Sequence, residues 1–190
     1  IPYLGICLGM QLMCVEFARN ILGYNIQGTR PTMDRVKESV FAMIQDNIQN
    51  SICLDLFAGS GNLGIEAISN GSKYTYFVDN NKECYLTILK NLNNYKVNNY
   101  KVLQMDYMTS LKYFCDNKIS FDLIFIDPPY NMKIIDKILN YINQNNLLNK
   151  NGQVVCEYQN DILKEEYGNI KLLKTKKYAI RYVAIYKNTK

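Results

Sequence analysis

A doubly wound α/β sheet, mostly parallel and finished by an antiparallel C-terminal hairpin, is the fold this sequence predicts. Three observations carry it: short apolar runs alternating with amphipathic segments, a glycine-rich turn after the first run, and two final strands joined without room for a helix. The regular pattern begins at Thr29. Thr32 is expected to cap a helix whose apolar Val36, Val40, Phe41 and Ile44 recur at helical spacing, with Asp34 favourably placed in the first turn. Ile52 to Phe57 reads as a strand, followed by a glycine loop and a helix to about Ser69; Thr75 to Val78 is a strand and Asn81 to about Tyr95 a helix. Lys101 to Met105, Phe121 to Ile126 and Gln153 to Cys156 supply three more strands, with helical segments between them. Ile170 to Thr175 and Arg181 to Lys187 then form the hairpin.

The 190 residues suffice for one well-packed domain. No apolar stretch approaches the roughly 18 residues that span a bilayer, so a globular protein without a membrane partner is expected. Histidine is absent, which excludes Ser-His-Asp and Cys-His triads, HExxH zinc sites and imidazole general bases within this chain. The six cysteines (Cys7, Cys14, Cys53, Cys84, Cys115, Cys156) contain no CxxC pair and read as reduced core residues of a cytoplasmic protein, with no metal. The net charge of +5 is concentrated at one end. Residues 1–163 carry 14 Lys/Arg against 15 Asp/Glu, whereas residues 164–190 carry 8 against 2. A basic end on a balanced domain suits an anionic partner such as nucleic acid, and it suits a solvated lysine-rich surface equally. A monomer is expected.

The chemistry concentrates at strand ends. Gly59-Ser60-Gly61-Asn62-Leu63-Gly64 follows a strand and opens a helix, so its backbone can turn tightly and present free amides to a ligand. Asp79, at the end of the next strand, is placed to accept from ribose hydroxyls. A dinucleotide and S-adenosylmethionine fit these two features equally. Asp55, just ahead of the turn, and Asp106, ending the third strand, separate them: a pyrophosphate is repelled by such a group of carboxylates, whereas a sulfonium and an ammonium are not. The sharpest motif is Asp127-Pro128-Pro129-Tyr130, directly after the strand Leu123 to Ile126. The two prolines hold the backbone extended, so that the Pro128 carbonyl and the Asp127 carboxylate offer two acceptors to the two hydrogens of an exocyclic amine. Holding both hydrogens aims the nitrogen lone pair and stabilises the positive charge that develops on it during transfer. Tyr130 is placed to stack on the base.

These residues, together with Thr29-Arg30-Pro31-Thr32-Met33-Asp34-Arg35-Val36-Lys37-Glu38 and the run from Leu54 to Ala67, make residues 28–190 resemble the RsmD family of 16S rRNA guanine-N2 methyltransferases. The resemblance implies a class I methyltransferase fold, Rossmann-like, with S-adenosylmethionine as donor and S-adenosylhomocysteine as product. Its implied target is a guanine amino group of 16S rRNA in the small ribosomal subunit. It places Phe57, Ala58, Gly59, Ser60, Gly61, Asp79 and Asp106 at the cofactor, where the position of Asp55 ahead of the turn puts it too, and Asp127, Pro128, Pro129 and Tyr130 at the base. Arg30, Arg35, Lys176, Lys177 and Arg181 are candidate RNA contacts, and helix capping or ion pairing serves Arg30 and Arg35 equally well.

Residues 1–27 read as a foreign or atypical segment. The chain starts at Ile1 rather than Met, its apolar start lacks a basic leader, and a secretory signal is therefore not expected. Ile1 to Asn20 resembles the nucleophile turn of the CTP synthase glutaminase domain, in which Gly5-x-Cys7-x-Gly9 would expose the Cys7 thiol. A chain without histidine lacks the partner that thiol needs, so no amidotransfer is expected. The family's usual basic segment before Arg-Pro-Thr has no counterpart here, and a weakened grip on RNA is the expected consequence. Three other readings stand beside the leading one: an adenine-N6 or cytosine-N4 methyltransferase, because Asp127 and Pro128 serve any exocyclic amine; a noncatalytic RNA-binding module of the same fold; and a nicotinamide oxidoreductase, which rests on the glycine loop alone.

Overall fold

The computed structural model describes residues 31–129 and 132–190, with side chains from Val36 onward. The chain divides into two compact units, residues 1–37 and 38–190, and among the described residues the first contains only the opening of helix α1. That helix runs from Pro31 to Ile44. Thr32 therefore lies inside it and does not cap it; proline takes the first position, where its missing N–H costs nothing and its fixed φ already suits a helix.

The remaining elements alternate as expected: β1 Ile52–Asp55, α2 Asn62–Ser69, β2 Tyr74–Asp79, α3 Lys82–Asn94, β3 Tyr100–Gln104, α4 Tyr107–Asp116, β4 Phe121–Ile126, α5 Ile135–Gln144, β5 Leu148–Tyr158, β6 Glu166–Tyr167, β7 Ile170–Tyr178 and β8 Arg181–Asn188. They build one sheet in the order β3-β2-β1-β4-β5-β8-β7-β6. β1 to β5 are parallel, and β5, β8, β7 and β6 pair antiparallel. The hairpin is longer than expected, and the two-residue strand β6 has no periodicity by which sequence could reveal it. β5 starts five residues before Gln153: Phe121 pairs with Leu148 and Leu123 with Gln153, so the extra residues of the irregularity lie in β5 between Leu148 and Gln153.

The core follows from these pairings. Cys53, Leu54, Leu123, Ile124 and Phe125 on the two central strands are fully buried, as continuous apolar runs covered on both faces must be. Phe41 of α1 stacks on Phe125 at 5.6 Å between ring centroids. Ile124, Ile126, Val154 and Cys156 pack with Leu111, Phe114, Ile138, Leu139 and Ile142 of α4 and α5. In α5 the buried residues Ile135, Ile138, Leu139 and Ile142 form one apolar stripe. No helix among the described residues is long and apolar enough to cross a membrane.

Candidate functional site

Chain order reverses between β1 and β4, and the parallel strands all point their carboxyl ends to one edge, so the crevice lies at that switch point. The register carries four of the predicted carboxylates to it. Asp55 pairs with Phe125, two residues before Asp127, and Asp79 pairs with Gln104, two residues before Asp106.

The glycine turn between β1 and α2 is held by backbone amides. Gly59 and Gly61 adopt φ of +55° and +82°, the left-handed region open to glycine, and Gly61 forms the N-cap of α2. Asp79 accepts from Gly59 N–H through Oδ2 and from Asn81 N–H through Oδ1, both at 2.9 Å. Ala58 N–H donates to the Val78 carbonyl, Gly61 N–H to that of Ala58, and Asn91 Nδ2 to that of Ser60. Asp55 is almost completely buried and accepts from Gly64 N–H at 2.9 Å. Burial pushes its carboxyl up to about 7, against the Gly64 amide, which lowers it, and with a smaller upward push from Asp79. Gly64 is required by proximity: a Cβ there would lie 2.2 Å from the buried Phe77 ring. Phe57 leans on Tyr107, ring centroids 5.5 Å apart.

Asp106 follows β3 and caps α4. Its Oδ1 accepts from Met108 and Thr109 amides at 3.0 and 3.1 Å, and Oδ2 accepts from the Thr109 hydroxyl. These bonds, the Thr109 hydroxyl first, hold its carboxyl below the ordinary range. A carboxylate has about four acceptor positions, so one of them remains for a ligand.

On the other side of the switch point, Asp127 and Pro128 follow directly on β4, Pro128 buried and Pro129 exposed. The Pro129 carbonyl accepts from Met132 N–H at 3.1 Å and closes the loop. Asp127 is pushed up to about 7, first by burial, then by Glu157, while Arg181 pulls it down and Asp55 pushes it up. Arg181 Nη1 sits 2.5 Å from Glu157 Oε1, with both side chains largely covered. Arg181, one of the candidate RNA contacts, is thus engaged with a carboxylate beside Asp127. Glu157 was not singled out by sequence reasoning. Its signal was available: a charge directly after the apolar run ending at Cys156, on the strand next to β4.

Lys176 and Lys177 are exposed on β7. Lys176 Nζ donates to Ser39 Oγ at 3.0 Å and lies 5.0 Å from the Tyr178 ring centroid; Lys177 Nζ lies 5.4 Å from that of Tyr182. Tyr130, Arg30, the Arg35 side chain and Cys7 lie outside the described residues. Among the described residues no cluster of three or more Cys, Asp or Glu could hold a metal ion, and Cys53, Cys84, Cys115 and Cys156 are free thiols.

Comparison with known proteins agrees with this geometry. The family model described as "Conserved hypothetical protein 95" matches residues 17–187. The ribosomal RNA small subunit methyltransferase D of Buchnera aphidicola is 36% identical over 141 residues, 74% of this chain and 73% of that one. Its namesake from Haemophilus influenzae is 34% identical over 166 residues, 86% of each chain. Among solved structures, a conserved hypothetical protein of Streptococcus pyogenes superposes with a TM-score of 0.74 at 32% identity, covering 80% of this chain and 94% of that one. A ribosomal protein L11 methylase of Lactobacillus delbrueckii, 15% identical, shares the fold with a TM-score of 0.65 over 83% of this chain and 80% of that one. A separate 24-residue stretch is 83% identical to CTP synthase of Sulfurimonas denitrificans, 13% of this chain and 4% of that one. The matched span and the identity shared over most of both chains place this protein in the Conserved hypothetical protein 95 family, the family of the ribosomal RNA small subunit methyltransferase D enzymes, with a class I methyltransferase fold.

Proposed function

We propose that this methyltransferase moves the methyl group of S-adenosylmethionine to the exocyclic N2 of a guanine in 16S rRNA, on the free RNA or on the small-subunit particle. The observation that carries the reading is the placement of Asp127 and the rigid Pro128-Pro129 exit across the switch point from the amide-held turn of Asp55, Gly59 and Asp79, in a chain of this family. The residues fit the donor. Each Asp79 oxygen accepts one protein N–H and so keeps acceptor capacity for a ribose diol. Among the described residues nothing beyond its chain neighbours lies within 4 Å of a Cβ placed on Gly59, which leaves room beside the turn. In this reading Asp55, buried and bonded to Gly64 N–H, braces the turn behind the donor, and the remaining Asp106 acceptor suits an adenine amine. When bound, the donor supplies an electrophilic methyl on a sulfonium.

The protein's part in the reaction is positioning and electrostatics. In this reading Asp127 and the Pro128 carbonyl take the two amine hydrogens, which directs the nitrogen lone pair and offsets the charge growing on it. Tyr130 orients the base by stacking. A dedicated base is unnecessary, because the alkylated amine cation is acidic enough to release its proton to water. Lys176 and Lys177, exposed beside the edge, serve the phosphate backbone, with Arg30 and Arg35 as further candidates. The short likeness to CTP synthase supports reading residues 1–27 as foreign to the methyltransferase domain of residues 28–190. We place the protein in the cytoplasm, acting as a monomer.

The test is transfer of radiolabelled methyl from S-adenosylmethionine to unmethylated small subunits, followed by nucleoside digestion. Label in N2-methylguanosine, reduced about 100-fold or more in Asp127→Ala, is the expected result. Label on adenine or cytosine overturns the guanine assignment, and RNA binding without any label makes the protein a noncatalytic module.

A further inference from the structure

A side-chain pair that no motif contains lies behind the base side of the crevice. Ile126 and Cys156 are partners in the β4–β5 ladder, so Asp127, the first residue after β4, lies beside Glu157, which is still within β5. Glu157 pairs with Val183 in the β5–β8 ladder, and Arg181 stands two residues before Val183 on the same face of β8. From there its guanidinium reaches Glu157 Oε1. The pair is sheltered: the Arg181 side chain is 22% and the Glu157 side chain 16% exposed. A covered ion pair of this kind is a poor source of stability, since an apolar pair of equal volume does as well or better. Its position beside Asp127 therefore calls for another explanation.

We propose that Glu157 and Arg181 act as a positioning pair for Asp127: Arg181 keeps the Asp127 carboxylate ionised, and Glu157 occupies the guanidinium so that it does not bind Asp127 itself and remove its oxygens from the substrate. The inference rests on the role given to Asp127 under the proposed function. Ionised, Asp127 is an acceptor through both oxygens and carries the charge that offsets the cation growing on the amine; protonated, it keeps one acceptor oxygen and loses that charge. Every carboxylate facing it opposes that ionisation: Glu157 from β5 and Asp55 from β1, with Asp79 of β2 acting in turn on Asp55. Among the described residues Arg181 from β8 is the cation that counters them, and burial leaves the Asp127 carboxyl at about 7, where a modest change of field decides its charge. An arginine placed alone would solve the ionisation and create a second difficulty. A bidentate guanidinium would take both Asp127 oxygens. Glu157 competes for that guanidinium, and the observed contact shows it holding one.

The two members of the pair are thus predicted to fail in opposite directions. In Arg181→Met the loss of the cation raises the Asp127 midpoint by about one pH unit or more, which at pH 6 reduces the ionised fraction, and kcat/KM with it, about tenfold. Activity returns as pH rises above 8. Arg181→Lys keeps the charge and restores most of the loss. In Glu157→Gln the midpoint falls, because a like charge is gone and Arg181 turns to Asp127; kcat drops at every pH and alkaline conditions do not rescue it. The direct readout is carbon NMR of protein labelled at the aspartate carboxyl carbons, titrated by pH, with Asp127→Asn identifying the resonance and thermal melts confirming that each variant folds. A midpoint that rises in Arg181→Met and falls in Glu157→Gln supports the pair. An Asp127 midpoint unmoved in both folded variants overturns it, whether or not the wild type methylates RNA. Absence of methyl transfer by the wild type instead overturns the proposed function and leaves the NMR result to decide the pair.

Discussion

The two sides of the crevice are held by different means. On the donor side, Asp55, Asp79 and Asp106 are tied to backbone amides of Gly64, Gly59, Asn81, Met108 and Thr109, each within 20 residues of its partner. On the base side, Asp127 is governed by Glu157 and Arg181, which arrive from two other strands 30 and 54 residues further along the chain. Amides cannot titrate or change rotamer, so on the donor side only the carboxylates they hold, Asp55 above all, respond to pH. Side-chain charges can do both, so the base side is adjustable, and its chemistry depends on pH and on single distant residues.

The largest effect expected on the donor side belongs to Asp55. Its folded carboxyl titrates near 7, far above the ordinary 3.8, so the native state holds a proton that the unfolded chain has already lost between about pH 4 and pH 7. Stability from this group is full below pH 4 and declines as pH rises through 7. Asp55→Asn keeps an acceptor for Gly64 N–H and removes the titration. The stability of wild type relative to this variant should therefore fall by a few kcal/mol across that window, at about 1.4 kcal/mol for each pH unit separating the folded and unfolded midpoints. Denaturant melts at pH 4.5 and 7.5 give the difference; parallel pH profiles would mean that Asp55 is not the buried group described.

A smaller effect is expected where α2 approaches β2. Gly64→Ala forces a methyl group into the Phe77 ring, which is fully buried. Such overpacking costs about 1–3 kcal/mol, read as a lower melting temperature together with weaker donor binding, since the turn and the helix shift as one. An unchanged melting temperature would show that the close approach is not a constraint. The smallest effect belongs to Asp106→Ala, which removes the cap of α4 and costs about 1 kcal/mol. Hydrogen exchange should then quicken at the Met108 and Thr109 amides while β2 and α2 stay protected.

The same contrast explains what was legible in the sequence. Strands β1 to β4 were readable because each is a short apolar run, and the glycine turn because glycine is favoured at its left-handed residues and fits the close approach to Phe77. The four edge carboxylates were readable because each directly ends or follows such a run. Three things were not. The start of α1 at Pro31 escaped because Thr32 is a plausible cap and proline at the first helical position leaves no periodic trace. β6 is too short to show any pattern. The Glu157–Arg181 pair escaped because a charge at a strand end names no partner until the register is known; Arg181 counted only as one cation in a basic tail. Local backbone constraints write themselves into nearby sequence, whereas contacts across the sheet need the order β4-β5-β8 first.

The central claim is that one side of this edge holds the donor and the other the base. Calorimetric titration of S-adenosylhomocysteine into Asp79→Ala and Asp127→Asn tests it most directly. The account predicts that Asp79→Ala weakens binding by about tenfold or more, as the loss of charge-assisted hydrogen bonds requires, while Asp127→Asn binds within about twofold of wild type and fails to transfer methyl. Loss of binding in Asp127→Asn, with Asp79→Ala unaffected, would contradict the division of the site.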